Sequence, residues 1–426
     1  MRKCLCGNIV VLVVLFAAWG GGAANAVGAK DTSGFAGVWT TVPGAQTPVV
    51  VSRRIKGMVA LASDDLWAVG WSNVTRPNRA LTAEPLIEHG DGTTWTALPT
   101  SMDRTARLYA VAAVSAIDIW AVGGIAPSVD TIDGGMIPFA MHYDGTTWTP
   151  MPLPAARASW GASPRVSLAT VTATGPNDVW AAGRDGDTGI AYHWNGTTWA
   201  SVGVPTASGV VRDALDWNGI SAIASGDVWL VGERRVGQLG RSALQPVAAH
   251  WNGIGWTLVN TPLPAGTQNR LASVSGHAPD DVWVVGAVGT PPDWPTAAPD
   301  MRVMPFVVHW DGTQWSEVHV PLPDATATVT ALDTVLAVSS DNVWVSGTYG
   351  LKVSLGDLVT DSARTFFLHW DGSVWNTVPA PPPPTGNGPP FDSPNALVAT
   401  GPTDLWCGGQ FANGSVSFLH YSGQGG

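Results

Sequence analysis

The chain has 426 residues and a formal net charge of −11, with 32 acidic against 21 Lys and Arg side chains, which argues against phosphate backbones or anionic lipid as general partners. Fifty glycines, 33 prolines and 23 tryptophans, with only 12% charged residues, suit many short strands joined by turns and exclude a fold built on long amphipathic helices.

The first 26 residues read as an export leader. Arg2 and Lys3 precede an apolar run over 9–18, and Ala24-Asn25-Ala26 offers a small-x-small cleavage site, so the mature chain is expected to start at Val27. Loss of Arg2 and Lys3 takes the net charge from −11 to −13. Cys4 and Cys6 leave with the leader, so Cys407 remains alone and no internal disulfide can form. No lipid-attachment cysteine follows the apolar run, and no second apolar stretch is long enough to span a bilayer. These features predict a secreted monomer without membrane insertion.

Residues 27–426 carry an internal repeat. Its first element is Asp, an aliphatic residue, Trp, two small or apolar residues and Gly, centred on Trp67, Trp120, Trp180, Trp229, Trp283, Trp344 and Trp406. Two residues before each stand Asp65, Asp118, Asp178, Asp227, Asp281, Asn342 and Asp404. Its second element is His, usually an aromatic, Asp or Asn, Gly, two residues and Trp, as in His142-Tyr143-Asp144-Gly145-Thr146-Thr147-Trp148. The other histidines are His89, His193, His250, His309, His369 and His420.

The last copy, His420-Tyr421-Ser422-Gly423, has no tryptophan, whereas Trp39-Thr40-Thr41-Val42-Pro43 stands alone near the mature N-terminus. Joined, they make one complete copy, as expected when the first strand pairs with the last sheet and removes the open edges of a ring. Each repeat reads as four short strands, the Asp-Gly or Asn-Gly pair marking a tight hairpin between the third and fourth. The predicted fold is all-β: one seven-bladed β-propeller over 27–426, closed by its N-terminal strand. The long connections then share one face, with insertions at 71–87, 124–139, 287–306, 348–366 and 380–394, and function is expected there.

Asp118-Ile119-Trp120-Ala121-Val122-Gly123-Gly124 and the Tyr143–Trp148 pair resemble the blades of Kelch and galactose-oxidase-like propellers of secreted bacterial type. A fainter similarity, in the Asp-aliphatic-aromatic strand and Trp-Asp-Gly turn, runs to seven-bladed bacterial propeller lectins. The first resemblance implies the fold; the second implies carbohydrate binding. Copper oxidase chemistry is not implied, because Cys407 directly follows a core tryptophan, and no cofactor is expected.

Histidines and aspartates that recur once per repeat read as scaffold, the Asp holding its tight turn through its own backbone, since a metal or catalytic site needs one asymmetric cluster. Subtracting the repeat leaves Trp71, Trp160 and Trp294 in connections on the variable face, where exposed indoles would offer platforms for a sugar ring or a protein partner. It also leaves Arg54, Arg107 and Arg270, each thirteen residues before a repeat tryptophan, at the opening of the innermost strand. Three guanidiniums there could bind a carboxylate or sulfate. The resulting expectation is a non-catalytic module for an extracellular carbohydrate or protein, with no nucleic acid partner. The alternative is a polysaccharide hydrolase or lyase using Asp130, Asp133, Asp293 or Asp300 in the long connections. Asn73, Asn195 and Asn413 match glycosylation acceptors.

Overall fold

The computed structural model describes residues 37–45, 50–75, 81–100, 102, 104–127, 136–154, 166–186, 188–205, 214–238, 241–262, 268–289, 302–350, 364–381, 393–410 and 417–423. The leader, Trp160, Trp294, Asp130, Asp133, Asp293, Asp300 and Asn413 lie outside the described residues.

Every regular element among the described residues is a strand. β1 (Val38–Pro43) comes first, followed by β2 (Val50–Ala62), β3 (Asp65–Thr75), β4 (Leu81–Gly90) and β5 (Trp95–Ala97). The next meanders are β6 (Ala106–Ser115), β7 (Asp118–Ile125), β8 (Ile137–Tyr143) and β9 (Trp148–Met151), then β10 (Val166–Gly175), β11 (Asp178–Asp185), β12 (Thr188–Trp194) and β13 (Trp199–Ser201). β14 (Ala214–Ala224), β15 (Asp227–Gln238), β16 (Arg241–Trp251) and β17 (Trp256–Val259) precede β18 (Gln268–Ala278), β19 (Asp281–Gly289), β20 (Val303–Trp310) and β21 (Trp315–Glu317). The chain ends with β22 (Val329–Ser339), β23 (Asn342–Gly350), β24 (Arg364–Trp370), β25 (Trp375–Val378), β26 (Ser393–Gly401), β27 (Asp404–Gln410) and β28 (Ser417–Ser422).

Five sheets have four strands and one has eight, the latter being the β18–β21 and β22–β25 meanders joined by a single parallel bridge between Val303 and Val329. The last sheet runs β1-β28-β27-β26, with Trp39 opposite Tyr421 and Thr40 opposite His420, so the N-terminal strand completes it as expected. The first strands pack in succession, β2 on β6, β6 on β10, β10 on β14, β14 on β18, β18 on β22, β22 on β26 and β26 back on β2, closing a ring.

Repetition in the sequence becomes repetition of contacts. Asp65 Oδ1 accepts hydrogen bonds from Trp67 Nε1 at 2.8 Å and His89 Nε2 at 3.0 Å. The same three-way contact recurs at Asp118, Asp178, Asp281 and Asn342, while Asp227 and Asp404 accept from His250 and His420. Each histidine ring lies against the same tryptophan, as for Trp120 and His142 at 4.3 Å. This corrects the expectation that the Asp serves its own turn. A short carboxylate in the second strand is instead the shared acceptor that fixes an indole and an imidazole in one orientation. The β4–β5 hairpin, a different turn, is held by its own aspartate: Asp91 Oδ1 accepts from the Thr93 and Thr94 backbone N–H groups at 2.8 and 2.7 Å, and Gly92 adopts φ +83°.

Fourth-strand tryptophans lock neighbouring sheets together. Trp148 meets Trp67 edge-on at 5.9 Å and Trp199 meets Trp120 at 5.3 Å; the series continues until Trp39 of β1 meets Trp344 at 6.4 Å and Trp95 meets Trp406 at 5.8 Å. Edge-to-face indole contacts of this kind add roughly 0.5–1.5 kcal/mol each beyond area burial, and here they run around the whole ring.

Candidate functional site

Every innermost strand breaks its ladder at the same place. The register shifts between Ile55 and Gly57, Leu108 and Ala110, Leu168 and Thr170, Trp217 and Gly219, Leu271 and Ser273, Leu332 and Thr334, and Pro394 and Ala396. One residue is therefore extra in each strand: Lys56, Tyr109, Ala169, Asn218, Ala272, Asp333 and Asn395. A bulge re-aims its extra side chain, and all of these residues line one cavity of about 230 Å³ on the axis of the ring. The motif glycine is the other half of the device. A Cβ on Gly70 would sit 1.7 Å from the Arg54 carbonyl oxygen, and one on Gly123 would sit 1.9 Å from that of Arg107, so only glycine permits the backbone approach opposite the bulge.

The bulge residues differ in chemistry from strand to strand, unlike the scaffold columns. Lys56 Nζ donates to Asn395 Oδ1 at 2.9 Å, and Asn395 Nδ2 donates to the Ile55 carbonyl at 2.9 Å. Burial pushes the Lys56 ammonium down to about 8, with Arg54 and Arg270 adding repulsion and Asp333 opposing the shift. Asp333 accepts from Thr348 Oγ1 at 2.6 Å, and burial raises its carboxyl above the ordinary range despite that bond and the nearby Arg270 and Lys56. Asn218 donates to the Leu271 carbonyl at 2.8 Å and to Glu233, whose carboxyl burial also raises.

Around this cavity lies a ring of side chains in which the residue four after one repeat tryptophan meets the residue thirteen before the next. Arg184 pairs with Asp216 at 2.6 Å, and Glu233 with Arg270 at 3.8 Å. Trp71 occupies the corresponding place before Arg107. The guanidinium carbons of Arg54 and Arg107 stand 5.6 and 5.5 Å from its ring centroid, and Tyr109 meets it edge-on at 5.7 Å.

The structure thus joins Arg54, Arg107 and Trp71 in one cluster and sets Arg270 apart, paired with an acid. Trp71 is not the exposed platform expected from sequence: it belongs to β3, is 7% exposed, and its ring is engaged by two cations. β3 runs on to Thr75, so the supposed connection begins as strand. Sequence reasoning missed Lys56, Asn218, Asp333 and Asn395. Their signal was a column eleven residues before each tryptophan whose side chains do not repeat.

A larger groove of about 650 Å³ lies at the tight-turn end, bordered by His277, Asp280, Trp370 and the Asp281–His309 pair. Its hydrogen-bonded pair belongs to the repeated scaffold contact, so it lacks the asymmetry of the axial cavity. Among the described residues no cluster of three or more metal-ligating side chains occurs, and there is no helix long and apolar enough to cross a membrane.

No protein-family model matches the chain and no curated protein matches it. Among solved structures it is similar to one described as "YCF48 bound to D1 peptide", at 16% identity and a TM-score of 0.50, covering 91% of this chain and 97% of that one. YCF48 from Cyanidioschyzon merolae is 14% identical, with a TM-score of 0.48 over 90% of this chain and 98% of that one. An alpha-L-arabinofuranosidase from Fusarium graminearum is 13% identical, with a TM-score of 0.45 over 92% and 98%. These neighbours are β-propellers, and at such identities the likeness concerns fold alone.

Proposed function

We propose that this chain is a secreted, seven-bladed β-propeller that binds an extracellular ligand, carbohydrate or protein, at the mouth of its central channel and does no chemistry on it. The blade count takes the two meanders of the eight-stranded sheet as separate blades, since one bridge alone joins them. The single observation that carries the function is the ring of bulges. Bulge geometry is the same in every blade, yet the side chains it presents to the axis are Lys56, Tyr109, Asn218, Asp333 and Asn395, with alanine elsewhere. A purely architectural ring has no need for that diversity; a ligand site needs convergent, differing polar groups in one cavity. The similarity in blade motif to Kelch-type and lectin propellers agrees with a recognition role. Export rests on the leader, and N-terminal sequencing of the secreted product should begin at Val27.

The deciding experiment is glycan-array binding of the mature protein beside Asp333→Asn and Lys56→Met variants, with a pull-down from culture medium if the array is silent. Binding that the channel variants weaken supports the reading, whereas binding that neither alters removes the channel from it. The second reading, a polysaccharide hydrolase or lyase, draws on the buried carboxyl of Asp333 in the axial cavity, because burial favours the protonated form over the charged one and a protonated acid can donate a proton. Release of reducing ends from a polysaccharide panel, lost in Asp333→Asn, would establish it.

A further inference from the structure

We infer that the sector of the channel mouth between β2 and β6 is a carboxylate site, and that it takes the acid group of a terminal sugar acid. The inference rests on the channel-binding reading and names the ligand's chemistry.

The argument begins with the ring of paired positions around the mouth. Where that ring carries charge on the β11–β14 and β15–β18 contacts, the charge is matched internally: Arg184 has Asp216 and Arg270 has Glu233. On the β3–β6 contact the position that would hold the acid is Trp71. Arg107 therefore rests on an indole, and Arg54 approaches the same indole from β2. Among the described residues neither guanidinium has a carboxylate within ion-pair distance, and the Nε atoms of both are buried without a hydrogen-bond partner. Lys56, two residues beyond Arg54, bonds to a neutral amide rather than an acid. Two guanidiniums and Lys56 thus converge on one side of the axis, Asp333 being the acid that bears on Lys56, and an anion from outside would relieve the repulsion that remains. A cation over an indole keeps its N–H edge available, so Trp71 can fix the plane of a guanidinium while its fork receives a carboxylate.

Size and lining then choose the rest of the ligand. Pockets that enclose a whole drug-sized molecule run to roughly 300–1,000 Å³, whereas this channel offers about 230 Å³. It has room for the end of a ligand, about one sugar ring. Asn218 of β14 and Asp333 of β22 line the same cavity on strands away from the β2–β6 sector, while Tyr109 lies within that sector beside Trp71, so an amide and an acidic acceptor stand apart from the two guanidiniums. A uronic acid has that polarity, with a carboxylate at one end of the ring and donating hydroxyls at the other.

The test is calorimetric titration of the mature protein with tetragalacturonate and with its methyl ester, which removes the charge and keeps the sugar. We expect the acid to bind at least about tenfold more tightly than the ester, as for loss of charge-assisted hydrogen bonds, and to weaken as salt is raised. Arg54→Gln with Arg107→Gln should abolish that preference, and Arg54→Lys with Arg107→Lys should restore part of it; circular dichroism and thermal unfolding confirm that each variant is folded. Equal binding of acid and ester, weakened by Asp333→Asn, would overturn the carboxylate site and leave channel binding standing. Binding of acidic peptides but not uronates through the same arginines would overturn the sugar. No binding of any probe would overturn the carboxylate site, and the channel-binding reading would then be decided by the array and the pull-down.

Discussion

Asn342 is the position where the repeated acceptor carries no charge, and replacing it tests the electrostatics of the scaffold. Its Oδ1 accepts from Trp344 Nε1 at 2.7 Å and from His369 Nε2 at 3.0 Å, while its Nδ2 donates to the Pro402 carbonyl at 2.8 Å. His369 is 1% exposed and its Nε2 bonds the Asn342 amide, and burial, against the opposing charges of Asp371 and Asp341, pushes its imidazole down to about 4 from 6.5. A depressed base gives stability that is fully present above 6.5 and lost as pH falls towards 4, because over that window only the unfolded chain takes the proton. At pH 4.5 the loss comes to roughly 2–3 kcal/mol, at about 1.4 kcal/mol per unit. Asn342→Asp would supply a carboxylate that holds the imidazolium, but would forfeit the Pro402 hydrogen bond at a cost of about 1 kcal/mol. The two stability curves should therefore cross, the variant melting below the parent at pH 7 and above it at pH 4.5. Scanning calorimetry at one heating rate across this range reads the crossing. Parallel curves would refute the assignment of the acid loss to His369.

Trp39→Ala removes a side chain stacked on Phe367 at 4.2 Å and edge-on to Trp344 at 6.4 Å, and should cost about 3–5 kcal/mol in urea unfolding; a cost below about 1 kcal/mol would mean that β1 does not close the ring. Gly92→Ala and Gly253→Ala both place alanine at positive φ, +83° and +86°, but the new Cβ meets the Ser63 carbonyl oxygen at 2.4 Å in the first and nothing nearer than 3.4 Å in the second. Both should lose the roughly 1–2 kcal/mol of left-handed strain, with Gly92→Ala losing clearly more; equal melting temperatures would contradict the steric account. Cys407 is fully buried and its thiol is pushed well above the usual range by burial, so it should resist a disulfide reagent in native buffer and react only across the unfolding transition, which thiol titration against urea concentration follows.

What the sequence made legible was whatever the blades share. The Asp, His and Trp columns identified the strands, the hairpins and the closing role of Trp39, because one local environment recurs and its residues recur with it. The role of the Asp was not legible: a carboxylate two residues from an indole reads as a turn residue until the third strand brings the imidazole to it. The end of β3 was hidden as well, since the apolar alternation stops near Trp71 while the ladder continues to Thr75. The bulge was harder still. An extra residue in a strand leaves only a skipped beat, and Lys56, Tyr109, Asn218 and Asp333 look like unrelated interruptions until they are placed in one column. Arginine illustrates the remaining step. Arg54, Arg107 and Arg270 occupy equivalent positions, yet Glu233 neutralises Arg270 from the preceding sheet whereas Trp71 leaves Arg107 without an acid. Which cation is available to a ligand therefore depends on the pairing of one repeat's second strand with the next repeat's first, a contact across the ring rather than a property of any single repeat.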